Sequence, residues 1–242
     1  MNDHQLAAWL ASEAGKLLVD LREELSGQRL APFAVGSRGD AAAHDFIANA
    51  LQQHRPEDMV LSEESMDDRR RLEHRRVWIV DPLDGTREFS IPGRTDWAVH
   101  VALVADSVPV AAAVSLPAQG ITLATEPSSP TPVAANPPRV ITSRSRPGRL
   151  ARHIADNLGA TIIQLGSAGA KAAAVIRGEA EVYAHASGLH EWDLCAPAAV
   201  AAAAGLHVSH LNGAELLFNQ SDTYVSDFVI CHPNLAAAVI AR

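Results

Sequence analysis

Two aspartates and a threonine lie close together in the stretch 77–90, which reads VWIVDPLDGTREFS. An apolar, β-favouring run leads into Asp81, and the residue before a proline is pushed out of the helical region. We therefore expect a buried strand that ends at Asp81 and turns within a few residues, with Gly85 free to take a positive φ. Asp81, Asp84 and Thr86 would then point toward one place. Two carboxylates that close repel each other, and a hard divalent cation is the usual compensation. The Asp-Gly pair taken alone is more typical of a solvated turn with an Asx cap, whereas the whole stretch favours the cation site.

The same stretch resembles the first signature of a known family. DPLDGT, preceded by Trp78 and followed by Phe89, is similar to the motif of the lithium-sensitive, magnesium-dependent phosphatases of the inositol monophosphatase superfamily. Arg87, Glu88 and Phe89 resemble the Lys/Arg-Glu-Phe of the branch that hydrolyses 3′-phosphoadenosine 5′-phosphate (PAP), whereas inositol phosphatases have Thr-Asn-Phe there. The resemblance extends over nearly the whole chain.

The resemblance implies a metal centre. SEES at 62–65 is similar to the family's Gly-Glu-Glu-Ser, which selects Glu63, and neighbouring residues of an extended chain face opposite sides, so only one glutamate should face the site. WDLCA, beginning at Trp192, resembles the second signature, in which Asp193 is a ligand and can also cap a helix. The implied ligands are Glu63, Asp81, the Leu83 carbonyl, Asp84 and Asp193. Asp40 is implied near a third metal, although on its own it is typical of a helix N-cap.

The resemblance also implies substrate contacts. RVITSRS at 139–145 is similar to a strand that ends in Ser-Arg-Ser-His near the nucleotide, but Arg146 replaces the histidine. GSAGAK at 166–171 resembles Gly-Ser-Ser-x-Lys with one extra residue before the lysine, and amides at the start of the next helix can hold an anion. His185 replaces an arginine, and a neutral imidazole cannot bind phosphate as a bidentate guanidinium does. The implied contacts are Leu83, Asp84, Gly85, Thr86, Ser143, Arg144, Ser145, Ser167, Lys171, His185 and Asp193.

Composition limits the possible partners. A net charge of −8 argues against a nucleic-acid surface, so we expect no nucleic acid partner. Cys195 and Cys231 are too few and too far apart for a disulfide framework or a zinc site, which fits the cytoplasm. The N-terminus lacks a basic region and no run of about 18 apolar residues occurs, so we expect no transmembrane segment. The oligomeric state stays open, a homodimer included.

Hydrophobic periodicity predicts helices and strands in both halves. We expect a helix at 5–25, a loop at 31–39 and a helix that begins at Asp40, and a solvated loop or a mobile flap at 67–76. The expected strands are 59–61, 77–80, 95–104, 109–116, 120–125, 139–143, 161–165 and 181–184, and further helices are expected at 150–158, 170–177 and from Asp193 to 204. The proline-rich stretch 126–138 predicts a boundary between an N-terminal domain (1–137) and a C-terminal domain (138–242).

These elements indicate an α/β architecture of stacked layers. The resemblance implies the αβαβα sandwich of the inositol monophosphatase and fructose-1,6-bisphosphatase type, with the site between the halves. It also implies hydrolysis of PAP to AMP and phosphate in sulfate assimilation, two or three Mg²⁺ ions, and inhibition by Li⁺. One Mg²⁺ would activate a water that Glu63 and Thr86 orient, and a second, held partly by Asp84, would stabilise the leaving oxygen.

Other readings of the function remain open. Inositol monophosphate or fructose 1,6-bisphosphate could be the substrate, because such a metal centre acts on phosphate monoesters generally. A non-enzymatic, nucleotide-binding regulator is disfavoured because every implied ligand position is filled. An aspartyl-phosphate mechanism needs Asp-x-Asp, and Asp81 and Asp84 have the wrong spacing for it.

Overall fold

Apolar runs build two five-stranded sheets in the computed structural model, which describes residues 1–145 and 147–240 and, within them, every side chain but that of Ser187. The strands of the first sheet, in their order across it, are β1 (Met59–Ser62), β2 (Arg76–Asp84), β3 (Ala98–Ala105), β4 (Val108–Leu116) and β5 (Ile121–Ala124). Those of the second are β6 (Arg139–Ser143), β7 (Thr161–Leu165), β8 (Val182–His190), β9 (His207–Ser209) and β10 (Tyr224–Cys231), in the order β7-β6-β8-β10-β9.

Helices cover both faces of the first sheet. The helices are α1 (Asp3–Ser26), α2 (Pro32–His54), α3 (Thr86–Phe89), α4 (Arg149–Leu158), α5 (Ala168–Ile176), α6 (Glu191–Ala203) and α7 (Ala236–Ile240). Trp78 and Val80 of β2 pack with Leu10 of α1 and Ile47 of α2 in one buried cluster. Because successive side chains of a strand face opposite sides, the residues between them belong to the other face.

That other face forms a core shared by both halves of the chain. Val77 and Ile79 cluster with Ala172 of α5, Ala201 of α6 and Phe228 of the second sheet. The many alanines of α5 and α6 let these two helices lie between the sheets. On the far side of the second sheet, α4 and α7 pack in a third cluster. The layers are therefore helix, sheet, helix, sheet, helix, which confirms the expected αβαβα sandwich.

The start of the second helix differs from the expectation. A loop at 31–39 is wrong, because Pro32 occupies the first position of α2, where its missing N–H and fixed φ are tolerated. Asp40 consequently lies inside α2 and is not an N-cap. Glycine disfavours a helix interior, but a Cβ at Gly36 would come within 2.5 Å of Thr86 Cγ2. Gly36 thus permits the close approach of α2 to the turn after β2.

Two strands and one charged segment also differ. β2 continues through Pro82 to Asp84, and β8 continues to His190 instead of ending at 184. A register shift between Asp81 and Asp84 accommodates the proline, which cannot donate a ladder hydrogen bond. The segment 67–76 contains a short 3₁₀ turn in which Arg71 is fully buried, so it is not simply a solvated loop.

The sheets divide the sequence near the predicted boundary. The first sheet ends at Ala124 and the second begins at Arg139. Because one buried cluster contains residues of both halves, the two-domain division stays a prediction. Along the described ranges, the helices lack the combination of length and apolar character that crossing a membrane requires.

Candidate functional site

The turn after β2 carries the first acidic residues of the site. Asp81 pairs with His100 of β3, and the register shift that follows brings Asp84 opposite Ala98. Gly85 then takes a φ of 88°, a left-handed conformation that glycine adopts without strain, and α3 begins at Thr86. The Leu83 amide donates a 3.1 Å hydrogen bond to Asp81 Oδ1, which fixes that side chain over the turn.

Asp193 reaches the same place from the second half of the chain. It is the third residue of α6, and its Oδ2 accepts a 2.7 Å hydrogen bond from the His190 amide, which precedes the helix. Asp193 therefore contributes to the capping of α6 without being its N-cap. One carboxylate oxygen each from Asp81, Asp84 and Asp193 lies within 4.8 Å of the others. The structure thus brings Asp193 to two carboxylates that lie more than 100 residues before it in sequence.

Asp84 is held by the N-terminus of α5. Its Oδ1 accepts from the Ala168 amide at 3.2 Å and its Oδ2 from the Gly169 amide at 2.5 Å. His100 Nε2 lies 3.2 Å from Asp84 Oδ2 without hydrogen-bond alignment, and His100 Nδ1 lies 3.1 Å from the Trp192 carbonyl oxygen. Helix N-termini favour negative charge. The anion held by the turn at 166–169 is therefore the protein's own carboxylate.

The three aspartates have different proton affinities. Burial and the charges of Asp84 and Glu63 raise the pKa of Asp81 well above its ordinary value. Burial would also raise the pKa of Asp84, but the positive charges of His100 and Lys171 and the Gly169 amide lower it. Burial and the charge of Asp84 raise the pKa of Asp193 to about 6, against the His190 amide. Among the described residues, Asp81 lacks a comparable positive neighbour, and a bound cation would supply one.

Glu63 and Asp40 border this cluster. Glu63 follows the end of β1 in an exposed turn, so the alternation expected of an extended chain does not apply to it. Desolvation, with the charges of Asp193 and Asp84, raises the pKa of Glu63 to about 7, so its carboxylate interacts electrostatically with the cluster. Desolvation and the charge of Glu64 raise the pKa of Asp40 to about 7.

The Thr86 hydroxyl connects Asp40 with the turn. Its Oγ1 lies 3.1 Å from Asp40 Oδ1 and 3.2 Å from the Leu83 carbonyl oxygen, and its one hydrogen can be donated to either. A hydroxyl also has lone pairs, so Thr86 can accept a hydrogen bond from a water molecule at the same time. This arrangement suits a residue that orients a water molecule.

A cleft of about 690 Å³ opens beside the aspartates. It contains every implied substrate residue except Leu83 and Arg144: Asp84, Gly85, Thr86, Ser143, Ser145, Ser167, Lys171, His185 and Asp193. Ser167 is the N-cap of α5 and accepts from the Ala170 amide at 3.0 Å. Lys171 is buried, and its ammonium donates to the carbonyls of Gly166 and Ser167 at 2.6 Å each.

Lys171 therefore already has a structural role beside the cleft. Burial lowers its pKa to about 8, opposed by the charges of Asp84 and Glu88. Two of its three hydrogens hold the turn whose amides bind Asp84, which leaves one for an anionic ligand. Contact of Lys171 with substrate phosphate stays a prediction, and Arg146 lies outside the described residues.

The two stretches that resemble the PAP-hydrolysing branch contact each other. Arg144 Nη2 donates to Glu88 Oε1 at 2.7 Å, which joins the turn after β2 to the loop after β6. The Arg144 guanidinium is about a third exposed and the Glu88 carboxylate is buried. Arg144 Nε is buried and lacks a hydrogen-bond partner among the described residues. The pair lies beside the cleft, next to the residues of the second half of the chain that line it.

Sequence reasoning missed two parts of the site. The position of His100 in a strand did not assign it to the site, yet this fully buried residue lies 3.2 Å from Asp84 Oδ2. The α5 amides were expected to hold a foreign anion. The glycine at position 169, within the GSAGAK stretch, was the sequence signal for a close approach at this place. A Cβ there would lie 2.1 Å from His100 Nε2 and 3.1 Å from Asp84 Oδ2.

Comparison with known proteins decides the family. Residues 34–242 match the model of the inositol monophosphatase family. The chain belongs to this family. It is 44% identical over 253 residues to the 3′-phosphoadenosine 5′-phosphate phosphatase of Mycobacterium leprae, covering 99% of this chain and 93% of that protein. It is 30% identical over 199 residues to the 3′(2′),5′-bisphosphate nucleotidase CysQ of Escherichia coli, covering 77% and 80% of the two chains.

Solved structures agree with this placement. The crystal structure of CysQ from Bacteroides thetaiotaomicron, a bacterial member of the inositol monophosphatase family, matches with a TM-score of 0.82 and 26% identity. It covers 95% of this chain and 96% of its own. The inositol monophosphatase family is metal-dependent, and the carboxylate cluster of Asp81, Asp84 and Asp193 supplies oxygen donors for a metal.

Proposed function

We propose that the protein is a Mg²⁺-dependent phosphatase that hydrolyses PAP to AMP and phosphate. The observation that carries this proposal is the 44% identity, over 99% of the chain, to a protein named for that activity. The convergence of three carboxylates beside a cleft with basic residues supports it. We further propose that the reaction takes place in the cytoplasm and serves sulfate assimilation by removing PAP; the two buried, unpaired cysteines fit a reducing compartment.

The residues present fit Mg²⁺. The cluster offers carboxylate oxygens, which this hard cation prefers, and within the part of the chain that the structure describes Asp81 has no close positive partner. The proposed ligands are Glu63, Asp81, the Leu83 carbonyl, Asp84 and Asp193, with Asp40 near a third ion. Bound Mg²⁺ supplies positive charge at the phosphate and lowers the pKa of an attacking water. Two ions, and inhibition by Li⁺, follow from the same proposal.

The protein's own residues position the reactants. The Glu63 carboxylate, which interacts with the charges of Asp193 and Asp84, can accept a hydrogen bond from a water molecule beside the cluster. Thr86 can accept a hydrogen bond from that water while it donates to Asp40 or to the Leu83 carbonyl. Asp84 is fixed by two amides of α5, so it loses little freedom when it binds a ligand.

Basic residues lie beside the acidic residues at the cleft, where an anionic substrate must overcome the net charge of −8. Lys171 keeps one free hydrogen beside Ser167, and His185 stacks on Phe228 with 6.2 Å between ring centroids. Arg144 is fixed by Glu88 next to the cleft. We propose that these residues, with Ser143 and Ser145, bind the nucleotide and its second phosphate.

Phosphate release from PAP, measured with Mg²⁺ and after chelation with EDTA, tests the proposal. We expect activity with Mg²⁺, its loss on chelation, and its return when Mg²⁺ is added back. Inositol 1-phosphate at the same Mg²⁺ concentration is the comparison, and kcat/KM should be higher for PAP. Equal values for the two substrates would reduce the enzyme to a general phosphomonoesterase. Full activity in EDTA would overturn the metal requirement.

A further inference from the structure

Arg71 is fully buried within a densely charged segment. Its Nε and Nη2 donate to the two oxygens of Asp67 at 2.7 and 3.0 Å. Nη1 donates to Asn219 Oδ1 at 2.6 Å and Nη2 to the Gln220 carbonyl at 2.9 Å, while Asn219 Nδ2 donates back to the Arg71 carbonyl at 3.2 Å. A buried guanidinium is tolerated only when such partners surround it. These contacts fix the segment after β1 to the second half of the chain.

The same peptide is tied to the start of α6. The amides of Asn219 and Gln220 donate to the two oxygens of Glu191 at 2.6 and 2.7 Å. Glu191 is buried and is the first residue of α6, and Asp193 follows two positions later. A displacement of the peptide 219–220 would therefore act on the turn that presents Asp193.

Arg71 also anchors one end of the loop that carries Glu63. Residues 63–66 are exposed, and their near end is fixed by hydrogen bonds to Ser62 and to the Val80 carbonyl. The far end is Asp67, whose carboxylate is held by Arg71. Without Arg71, the far end of this exposed turn would keep only Arg69, an exposed side chain that lies 3.5 Å from Asp67 Oδ2 and donates to the Ser221 carbonyl at 2.6 Å.

We propose that Arg71 is a positioning residue for metal binding. It sets Glu63, on the loop, relative to Asp193, on α6, through Asp67, the peptide 219–220 and Glu191. The inference depends on the metal site of the proposed function but not on the identity of the substrate. Groups that hydrogen-bond a metal ligand directly change metal affinity by about 10–100-fold when they are replaced, and Arg71 acts one contact further away, so we expect an effect at the low end of that range.

Metal binding can be measured without turnover, from the rise in melting temperature as Mg²⁺ is titrated into the metal-free protein. Arg71→Met removes the guanidinium and keeps an unbranched side chain. Asn219→Gly removes one hydrogen-bond partner of Arg71. Glycine readily adopts the φ of 59° observed at this position, so the backbone is not strained. Arg75→Met is the matched control, because Arg75 is exposed and pairs with the exposed Asp106.

We expect the half-saturating Mg²⁺ concentration to rise about tenfold in Arg71→Met and by less in Asn219→Gly, with no change in Arg75→Met. At saturating Mg²⁺, the KM for PAP should stay within about twofold of the wild-type value. A lower melting temperature of the metal-free protein with unchanged Mg²⁺ half-saturation would overturn the proposal, since Arg71 would then be only structural. If Arg71→Met does not fold, Asn219→Gly decides by the same criterion.

A wild-type protein that gains no stability from Mg²⁺ would overturn the metal site and this inference together, whereas failure to hydrolyse PAP would affect only the proposed substrate.

Discussion

Asp84 holds two roles that a pair of substitutions can separate. As a proposed metal ligand it needs its negative charge, and as the acceptor for the Ala168 and Gly169 amides it needs its oxygens. Asp84→Asn removes the charge and keeps one acceptor oxygen. Asp84→Ala removes both oxygens and leaves the two amides at the start of α5 without that partner.

The structure gives the expected magnitudes. Loss of about 3 kcal/mol of transition-state stabilisation slows turnover roughly a hundredfold, so both variants should lose at least that much kcat on PAP. A buried donor left without its acceptor costs about 1–3 kcal/mol. Alanine should therefore be less stable than asparagine by about that amount, and each kcal/mol corresponds to roughly 2–4 °C in a chain of this size.

Initial rates of phosphate release and thermal unfolding in EDTA measure the two effects separately. An asparagine variant within a few-fold of wild-type kcat, with an unchanged Mg²⁺ requirement, would remove Asp84 from the metal site. An alanine variant that melts at the same temperature as the asparagine variant would show that the α5 amides do not depend on Asp84. Either result would contradict the reasoning from this geometry.

Three further predictions concern specificity, lithium and pH. Glu88→Gln should lower kcat/KM about tenfold for PAP but little for adenosine 3′-monophosphate, because the charged hydrogen bond that orients Arg144 toward the proposed second phosphate is weakened; equal losses on both substrates would contradict this. Li⁺ should inhibit through kcat more than KM, because a single charge in the carboxylate cluster stabilises a leaving oxygen poorly; identical effects of Li⁺ and K⁺ would indicate screening alone. The folded-state pKa of Glu63, about 7 against an ordinary 4.5, means that the folded metal-free protein binds the extra proton, so its stability should fall as pH rises from about 4.5 through 7. Because protons and Mg²⁺ compete for Glu63 and Asp193, the melting-temperature rise caused by Mg²⁺ should be larger at pH 8 than at pH 6, and an equal rise at both would contradict the pKa assignment.

Local sequence signals predicted the turn after β2 correctly. Asp-Pro and Asp-Gly each constrain the backbone on their own, so the projection of Asp81 and Asp84 toward one place could be inferred without tertiary contacts. The strand was expected to end at Asp81, but it continues to Asp84 through a register shift that accommodates Pro82. That shift depends on pairing with β3, which no single stretch of sequence specifies.

Long-range contacts explain most of what was missed. Arg71 looked like one more solvated charge because its partners, Asn219 and Gln220, are almost 150 positions away. Asp40 was expected at a helix start because the glycines before it suggested a loop. Gly36 instead lies inside the helix, where it makes room for Thr86, a residue of another element. In both cases the missing information was which surface the residue would meet.

The site depends on the contact between the two halves. Asp84 belongs to the first half but its oxygens are held by α5 of the second, a Cβ at Gly85 would lie 2.8 Å from Ser167, and Glu88 pairs with Arg144. Anything that separates the halves therefore removes the amides from Asp84 and moves Asp193 away. Linkage is reciprocal: if contact between the halves raises metal affinity, bound metal must strengthen that contact by the same free energy. Metal should thus stabilise the whole sandwich against unfolding and not only the turn that binds it.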